Sequence, residues 1–380
     1  MIFLIKMAGT GGHGNMITGL KLNYYTLRTL PKESKLKYKI IIKTFDDKYD
    51  PELRFYRLAN MLGRPDLDDK INDVVFQELL KWMPEYHGVF DIDSLKGELD
   101  EASYAKVKEM KEVPEAFLII EDITFRDGYH IDLKMGTRRF DSSAIANHLL
   151  DCQEHKDKGK TKLQTQTDKR DKSVMISKYG VNIVAGKAKA SSECINKSDD
   201  KQCIMGDQKS KDLSSEEQEN TYEKVKRSLL DIFLPRPKDN INLINILKYK
   251  LEDIKEMFEE VLSKHGLHFF SSSLFITLDK NRTSMKIKMI DFAHVEAYGE
   301  YEDENGNDYF TGLPTFMKEM DANKECLGKT PTLLKNEDWK LDKGYITGLN
   351  TLLKMIEEKK KELKAERKTK RSRDGYKIKF

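Results

Sequence analysis

Cysteine is scarce in this chain of 380 residues, which has four, at Cys152, Cys194, Cys203 and Cys326. None of them forms a C-x-x-C pair, and no histidine stands beside them at the spacing of a zinc site. A small disulfide-stapled scaffold is therefore excluded, and nothing in the sequence favours a structural zinc ion. We expect reduced thiols, as is usual inside cells.

Long apolar runs are missing as well. The opening run from Met1 to Ile5 ends at Lys6, so it is too short for a signal sequence or a membrane span and is better interpreted as a strand. We expect a soluble protein without stable membrane insertion. Its predicted location is the cytoplasm, with the nucleus as an alternative.

Charge of one sign is not in excess, because 67 Lys and Arg residues face 64 Asp and Glu residues, for a net charge of +3. Without a global positive field, the sequence gives no indication of a nucleic-acid partner, and a bound anion must be held by local basic groups. The hydrophobic share of 38% is low, so solvated segments must dilute the core. The length fits one large two-lobed domain or two modest ones, and we expect a monomer.

Two nucleotide-binding signatures are absent and a third is incomplete. The chain has no G-x-x-x-x-G-K-[ST] sequence and no H-R-D-x-x-x-x-N catalytic loop, which argues against P-loop enzymes and protein kinases. Residues Gly9 to Gly14 fit G-x-G-x-x-G, but no helix and no acidic residue follow as a dinucleotide fold requires. A Rossmann domain is therefore rejected.

Strand patterns dominate the first part of the chain, and strands and helices alternate in the second. Apolar and β-branched runs predict strands at 38–43, 117–120, 129–134, 181–184, 269–278 and 285–290. Helical spacing predicts helices at 71–82, 241–265 and 345–364, and another that begins at Pro51. The segment 190–218 is poor in large apolar residues, which is typical of a flexible insertion. Together these patterns predict an α+β fold with a cleft between lobes.

Several charged residues occupy positions that phosphoryl transfer from ATP would need. Lys43 ends a strand and Glu52 begins a helix, an arrangement that protein kinases use to hold ATP phosphates, although lysines also end strands without such a role. Asp291 follows a buried strand, where a carboxylate is costly unless it binds a cation or caps a turn.

Asp132 and Lys134 share one face of a strand, because side chains alternate. They could both point into a cleft, or they could form an ordinary ion pair on an edge strand. Gly136 allows a tight turn or the close approach of a ligand at the end of the same strand.

These residues resemble the motif P-x-x-x-D-x-K-x-G of the inositol polyphosphate kinases. Asp132, Lys134 and Gly136 are in place, and Gly128 stands where the motif has proline. Further blocks follow in the order of that family and resemble its G-G-H, E-x-R-F-Y, P-x-Y-x-G, hinge, L-G-V-R-I, S-S-L-L, I-D-F and G-Y-x-x-G-L segments; they begin at residues 11, 52, 84, 118, 179, 270, 290 and 344.

The resemblance implies a two-lobed, protein-kinase-like fold of the kinase and ATP-grasp type, with an antiparallel N-lobe sheet and a mixed C-lobe. It implies an N-lobe at 1–122, a C-lobe at 123–365 with a substrate-binding segment at about 141–175 and the flexible insertion at about 190–220, and a basic tail at 366–380.

The resemblance also implies roles for single residues, with ATP and Mg²⁺ as cofactors and an inositol polyphosphate as the partner. Lys43, with Glu52, would contact the ATP phosphates, and the backbone of Glu121 and Ile123 would hold adenine. The other roles fall to two residues at the metal, Asp291 and Ser272, and two catalytic residues, Lys134 at the inositol phosphate and Asp132 at the reactive hydroxyl or at the ribose.

Four further lysines would bind the substrate, namely Lys160, Lys162, Lys169 and Lys172, with a solvated charged loop as the alternative. The strings D-L-K-M-G-T-R and I-D-F-A-H look most like the inositol hexakisphosphate kinases, which make a diphosphate. A multikinase or trisphosphate 3-kinase is the alternative, followed by a pseudokinase scaffold.

Overall fold

The computed structural model describes residues 16–22, 38–44, 51–63, 73–108, 116–125, 127–137, 174–187, 194–195, 214–234, 241–293, 295–297 and 341–376. The four predicted substrate lysines, the predicted strand at the start of the chain and the segment around Gly9 to Gly14 lie outside these residues.

The first sheet has four antiparallel strands in the order β1-β2-β4-β3. Its members are β1 (Met16–Leu22), β2 (Tyr38–Thr44), β3 (Tyr86–Asp91) and β4 (Ala116–Glu121). The β-branched residues of β2 and the apolar run of β4 form adjacent central strands, where side chains are buried on both faces.

The second sheet has five antiparallel strands in the order β10-β9-β5-β6-β7, and a two-stranded ribbon pairs β8 with β11. The strands are β5 (Tyr129–Met135), β6 (Val181–Lys187), β7 (Cys194–Ile195), β8 (Leu267–Phe269), β9 (Ser273–Leu278), β10 (Met285–Ile290) and β11 (Val295–Ala297). The two sheets are connected in the chain after β4, since β5 is the next strand in sequence.

Helices lie between and around these strands, and four of them fall where the sequence pattern predicted helices, from Pro51 and near 71–82, 241–265 and 345–364. They are α1 (Pro51–Gly63), α2 (Val74–Trp82), α3 (Ile92–Glu98), α4 (Glu101–Lys108), α5 (Val174–Ser177), α6 (Ser215–Arg227), α7 (Ile241–Glu256) and α8 (Lys343–Tyr376). A π-helical turn, Ser228–Phe233, extends α6, and a second one, Met257–Val261, extends α7.

The five-stranded sheet is apolar on one face and polar on the other. Alternate residues of β5, β9 and β10 enter the main hydrophobic cluster together with α1, α2, α7 and α8. The residues between them point the opposite way, among them His130, Asp132 and Lys134 of β5. On this polar face Thr277 and Lys288 reach the segment after β4 and the end of α2. Because side chains alternate along each strand, one face of the sheet forms the core and the other forms this polar face.

A smaller cluster covers the other face of the four-stranded sheet. Alternate residues of β2 and β4 pack there against Leu95, Leu99 and Val107 of α3 and α4. The predicted fold class, α+β with an antiparallel N-terminal sheet and a mixed C-terminal lobe, is confirmed.

Two buried carboxylates hold helix ends against distant parts of the chain. Asp73 accepts a hydrogen bond from the N–H of Val75 at the start of α2. It also lies 2.6 Å from Nε2 of His265, which directly precedes the turn into β8. Asp342 caps α8 by accepting from the N–H of Tyr345 and also accepts from the N–H of Phe269 in β8. These caps satisfy helix donors that would otherwise be unpaired.

Two helices enter segments for which the sequence predicted other roles. A capping box of Ser214 and Glu217 begins α6 at Ser215, inside the range predicted for the insertion. Helix α8 continues to Tyr376, through most of the segment predicted as a basic tail from residue 366. The domain bounds stay predictions. Helix-forming Lys, Arg and Glu residues, with Lys359 and Glu362 3.1 Å apart, extend the helix beyond its apolar face.

None of the helices in the described ranges is both long enough and apolar enough to cross a membrane. The predicted location and monomeric state stay predictions.

Three glycines allow α8 to touch the end of the five-stranded sheet. The N–H of Gly136 donates to the carbonyl of Gly180 over 2.9 Å. A Cβ atom added at Gly348 would lie 2.2 Å from that same carbonyl oxygen, and one added at Gly180 would lie 2.6 Å from the nitrogen of Gly348. Backbone therefore packs on backbone where α8 crosses β5 and β6.

We expect Gly348→Ala to lower the free energy of unfolding by about 2 kcal/mol, because the added methyl group meets backbone that cannot rotate away. The measurement is urea denaturation followed by circular dichroism. Asn350→Ala is the matched control, since Asn350 lies two residues further along α8 and is exposed. Equal stability of the two variants would contradict the packing argument.

Candidate active site

One row of side chains crosses the polar face of the five-stranded sheet. Lys134 of β5 pairs with Asn182 of β6 on one side and with Ser273 of β9 on the other. Ser273 in turn pairs with Ile290 of β10, the residue before Asp291. Two predicted site residues, far apart in sequence, thus lie at one level of the sheet, with a single strand between them.

Lys134 and Asp291 form an ion pair across that strand. The Lys134 Nζ atom lies 2.5 Å from Oδ2 of Asp291. The lysine side chain is 10% exposed and the aspartate side chain 26%, so the pair sits at the edge of solvent. Since strands lie about 4.8 Å apart, a side chain must span two such spacings, and the small Ser273 leaves it room to do so.

The backbone at Asp291 is held in an uncommon conformation. Its φ is +65°, a left-handed value that a residue with a side chain rarely adopts. Such values persist where neighbouring structure enforces them, and they occur often at functional sites. The neighbour here is Phe292, whose ring centroid lies 5.0 Å from that of Phe55 and 5.4 Å from that of Tyr56.

A second ion pair joins the N-terminal sheet to its helix. Lys43 in β2 pairs with Glu52 in the first turn of α1, and both side chains are largely buried. The helix is anchored by Phe55, which contacts Phe292 and Phe269. The structure therefore brings together the lysine and glutamate that the sequence suggested, and an aromatic cluster connects them with Asp291.

Tyr56 is fully buried beside Phe292. Burial raises the pKa of its phenol well above the ordinary value, and the charges of Glu52, Asp291 and Glu121 raise it further. The phenol is therefore neutral, and the acids that act on it come from α1, from the residue after β10 and from the end of β4.

The segment after β4 is tied down on both sides. The N–H of Glu121 donates to the carbonyl of Glu85, and the Glu121 carboxylate lies 3.5 Å from Nζ of Lys286. Asp122 accepts from the N–H and hydroxyl of Thr124, closing a tight turn. Thr277 of β9 donates to the carbonyl of Ile123 over 3.1 Å.

Asp132 is completely buried, one step nearer to this segment than Lys134. It pairs across the sheet with Phe275, a residue that is 6% exposed yet belongs to neither hydrophobic cluster of the described chain. The rings of His130 and Phe275 are stacked, with centroids 5.4 Å apart. Asp132 therefore borders an aromatic pair in the middle of the polar face.

The two serines before Leu274 face different surroundings. Ser272 donates its hydroxyl to the carbonyl of Phe269, which directs it away from the row that contains Lys134. Ser273 lies in that row, and its buried hydroxyl has no hydrogen-bond partner among the described residues. The sequence analysis assigned Ser272 to the metal, and that role stays a prediction. The two-residue alternation along β9 places Ser273, and not Ser272, in the row of Lys134.

The donor set near Asp291 suits a metal that shares its coordination with a ligand. Within the described ranges, no group of three or more His, Cys, Asp or Glu side chains could hold a metal ion. Mg²⁺ characteristically uses one or two carboxylates and completes its shell with phosphate oxygens and water. Asp291 with a neighbouring hydroxyl fits that requirement.

The chain is similar to one protein family and to two solved structures. The family model for inositol polyphosphate kinase matches residues 117–357. The structure of the S. cerevisiae inositol phosphate multikinase Ipk2 in complex with ADP and Mn²⁺ is similar, with 15% identity, coverage of 84% of this chain and 98% of that chain, and a TM-score of 0.43. A further inositol phosphate multikinase structure has 14% identity, coverage of 81% and 98%, and a TM-score of 0.42. No curated protein sequence matches the chain.

Proposed function

The chain belongs to the inositol polyphosphate kinase family, and from that premise we propose that it transfers the γ-phosphoryl group of ATP to an inositol polyphosphate with the help of Mg²⁺. The observation that carries the proposal is the pairing of Lys134 with Asp291 across the polar face of the sheet. It brings a lysine and a carboxylate together at one point, where phosphoryl transfer would need an anion-binding group beside a metal ligand.

The two ends of strand β9 support one orientation of the nucleotide along it. Thr277 touches the segment after β4, and Ser273 lies beside the ion pair. Four strand residues span about 13 Å, which is the length scale of a nucleoside triphosphate. We assign adenine to the backbone of Glu121 and Ile123, and the phosphates to Lys43 and the metal.

The base and the ribose would lie over the middle of β9. Phe275, supported by His130, would form an aromatic floor under the base. Asp132 lies two residues nearer than Lys134 to the segment after β4, so we assign Asp132 to the ribose hydroxyls. Lys134, at the phosphate end, would bind the acceptor inositol phosphate and compensate its charge.

Asp291 would be the carboxylate ligand of Mg²⁺, and we propose that the Ser273 hydroxyl, rather than that of Ser272, lies beside it. The bound ion supplies neutralisation of the charge on the β- and γ-phosphates. The protein contributes position: Phe292 and its aromatic neighbours hold Asp291 toward the cleft.

For the acceptor, the motif strings favour inositol hexakisphosphate and a diphosphoinositol product. A trisphosphate or multikinase substrate is the alternative. Lys160, Lys162, Lys169 and Lys172 stay predicted substrate contacts. For the basic stretch at 368–373 we favour a plain solvated segment, with a contact for nuclear import or for phosphoinositides as the alternative.

The test of the function is a panel of inositol phosphates, from trisphosphate to hexakisphosphate, incubated with ATP and Mg²⁺, with NMR of the product. We expect turnover with the wild-type chain and a loss of a hundredfold or more in Asp291→Asn, on the order of what a missing charge-stabilising group costs. Asn350→Ala is the control. If the chain binds ATP but phosphorylates no member of the panel, a pseudokinase scaffold would be favoured.

Ser273→Ala and Ser272→Ala separate the two serine assignments. We expect Ser273→Ala to raise the Mg²⁺ concentration needed for half-maximal rate about tenfold. Ser272→Ala should leave that concentration unchanged and cost ~1 kcal/mol of stability, because it loses the bond to Phe269. The reverse pattern would return the metal assignment to Ser272.

Phe275→Ala tests the floor of the nucleotide site. We expect ATP affinity, measured by isothermal titration calorimetry, to fall about tenfold, since base stacking on an aromatic side chain contributes ~1–3 kcal/mol. Affinity for inorganic tripolyphosphate, which has no base, should not change. If both ligands weakened equally, Phe275 would act through the fold and not through the base.

A further inference from the structure

The Lys134–Asp291 pair joins two groups to which the proposed reaction assigns different partners. Lys134 would hold a phosphate of the acceptor, and Asp291 would hold the metal. In this structure they hold each other, with 2.5 Å between Nζ and Oδ2. An ammonium group at that distance stands where a cation bound by the carboxylate would stand. A cation that binds through Oδ2 would therefore require the pair to open.

Ser273 lies beneath the same pair. It is paired in register with Lys134 on one side and with Ile290, next to Asp291, on the other. The lysine stem must pass over it to reach the carboxylate, and Ser273 is 0% exposed. Opening the ion pair would remove this stem from above the serine hydroxyl at the same moment as it removes the ammonium group from the carboxylate.

We propose that Lys134 is an internal counter-ion of Asp291, which a divalent cation displaces, and that the displaced ammonium group then binds the phosphate of the acceptor. The proposal rests on the proposed function and adds an energetic link between its two ligands. A flexible lysine suits the task because its stem can swing and its three donors need no fixed plane.

The consequence is positive coupling between metal and acceptor. Metal binding makes Lys134 available for phosphate, and phosphate binding draws Lys134 away from Asp291. By linkage each ligand raises the affinity of the other by the same factor. Metal alone binds weakly, because it must first displace the lysine.

The test measures Mn²⁺ binding by isothermal titration calorimetry, with no nucleotide present, in wild type and in Lys134→Met. The variant keeps the length of the side chain and removes its charge. We expect its Mn²⁺ affinity to rise about fivefold or more, while affinity for inositol hexakisphosphate falls and no longer depends on Mn²⁺. In wild type, Mn²⁺ should raise the hexakisphosphate affinity.

Lys288→Met is the matched control. Lys288 lies on the same face of the sheet, but its Nζ donates to the carbonyl of Lys81, so this variant loses an equal charge without freeing Asp291. Its Mn²⁺ affinity should equal that of wild type. If Lys134→Met fails to fold, judged by circular dichroism, Lys134→Gln makes the same measurement.

Unchanged or weaker Mn²⁺ binding in Lys134→Met would overturn the proposal, and Asp291→Asn decides how far the failure reaches. If Asp291→Asn abolishes Mn²⁺ binding, the metal assignment stands and only the exchange is wrong. If Asp291→Asn binds Mn²⁺ like wild type, the metal assignment fails together with the exchange. The kinase function itself is judged separately, by turnover of the substrate panel.

Discussion

The register of β9 between β5 and β10 is the constraint on which the rest of the site depends. It aligns Lys134, Ser273 and the residue before Asp291 in one row. A shift of one residue would turn Lys134 into the core and bring Leu133 to the cleft, because side chains alternate along a strand. The apolar residues on the opposite face resist such a shift, since they are buried in the main cluster. Hydrophobic burial therefore maintains the alignment of the charged groups.

An aromatic cluster extends that alignment to the rest of the molecule. Phe292 follows Asp291 and packs on Phe55 of α1, the helix that carries Glu52. Phe269 joins this contact to Phe258 of the extended α7, and Phe258 stacks on Tyr345 of α8. Packed rings have few alternative arrangements in a dense interior. The two ion pairs of the cleft are thus held in one frame, although they belong to different sheets.

A chain of net charge +3 has little overall attraction for a highly anionic substrate, so local pairs of opposite charge decide how such a substrate would bind. In the part of the chain that the structure describes, the cleft lysines are matched by acids: Lys43 by Glu52, Lys134 by Asp291 and Lys286 by Glu121. Burial is the main cause that lowers the pKa of Lys288, and its ammonium group donates to the backbone carbonyl of Lys81. If ligands bind by the exchange of partners that we propose for Lys134, the energy of each new contact depends on the contact that it replaces.

The sequence by itself determined the α+β class, most of the strand and helix positions and the residue types of the site, because hydrophobic period, helix caps and short motifs are local properties. It singled out Lys43, Glu52, Asp132, Lys134 and Asp291 as candidates and suggested that Lys43 pairs with Glu52, but it gave no sign that Lys134 meets Asp291. Only the tertiary structure decided that Lys134 contacts Asp291 over 157 residues of chain, that Ser273 shares their row and Ser272 does not, and that α8 touches the sheet through Gly348. Strand register and backbone contact depend on which distant segments pair, and no local pattern carries that information.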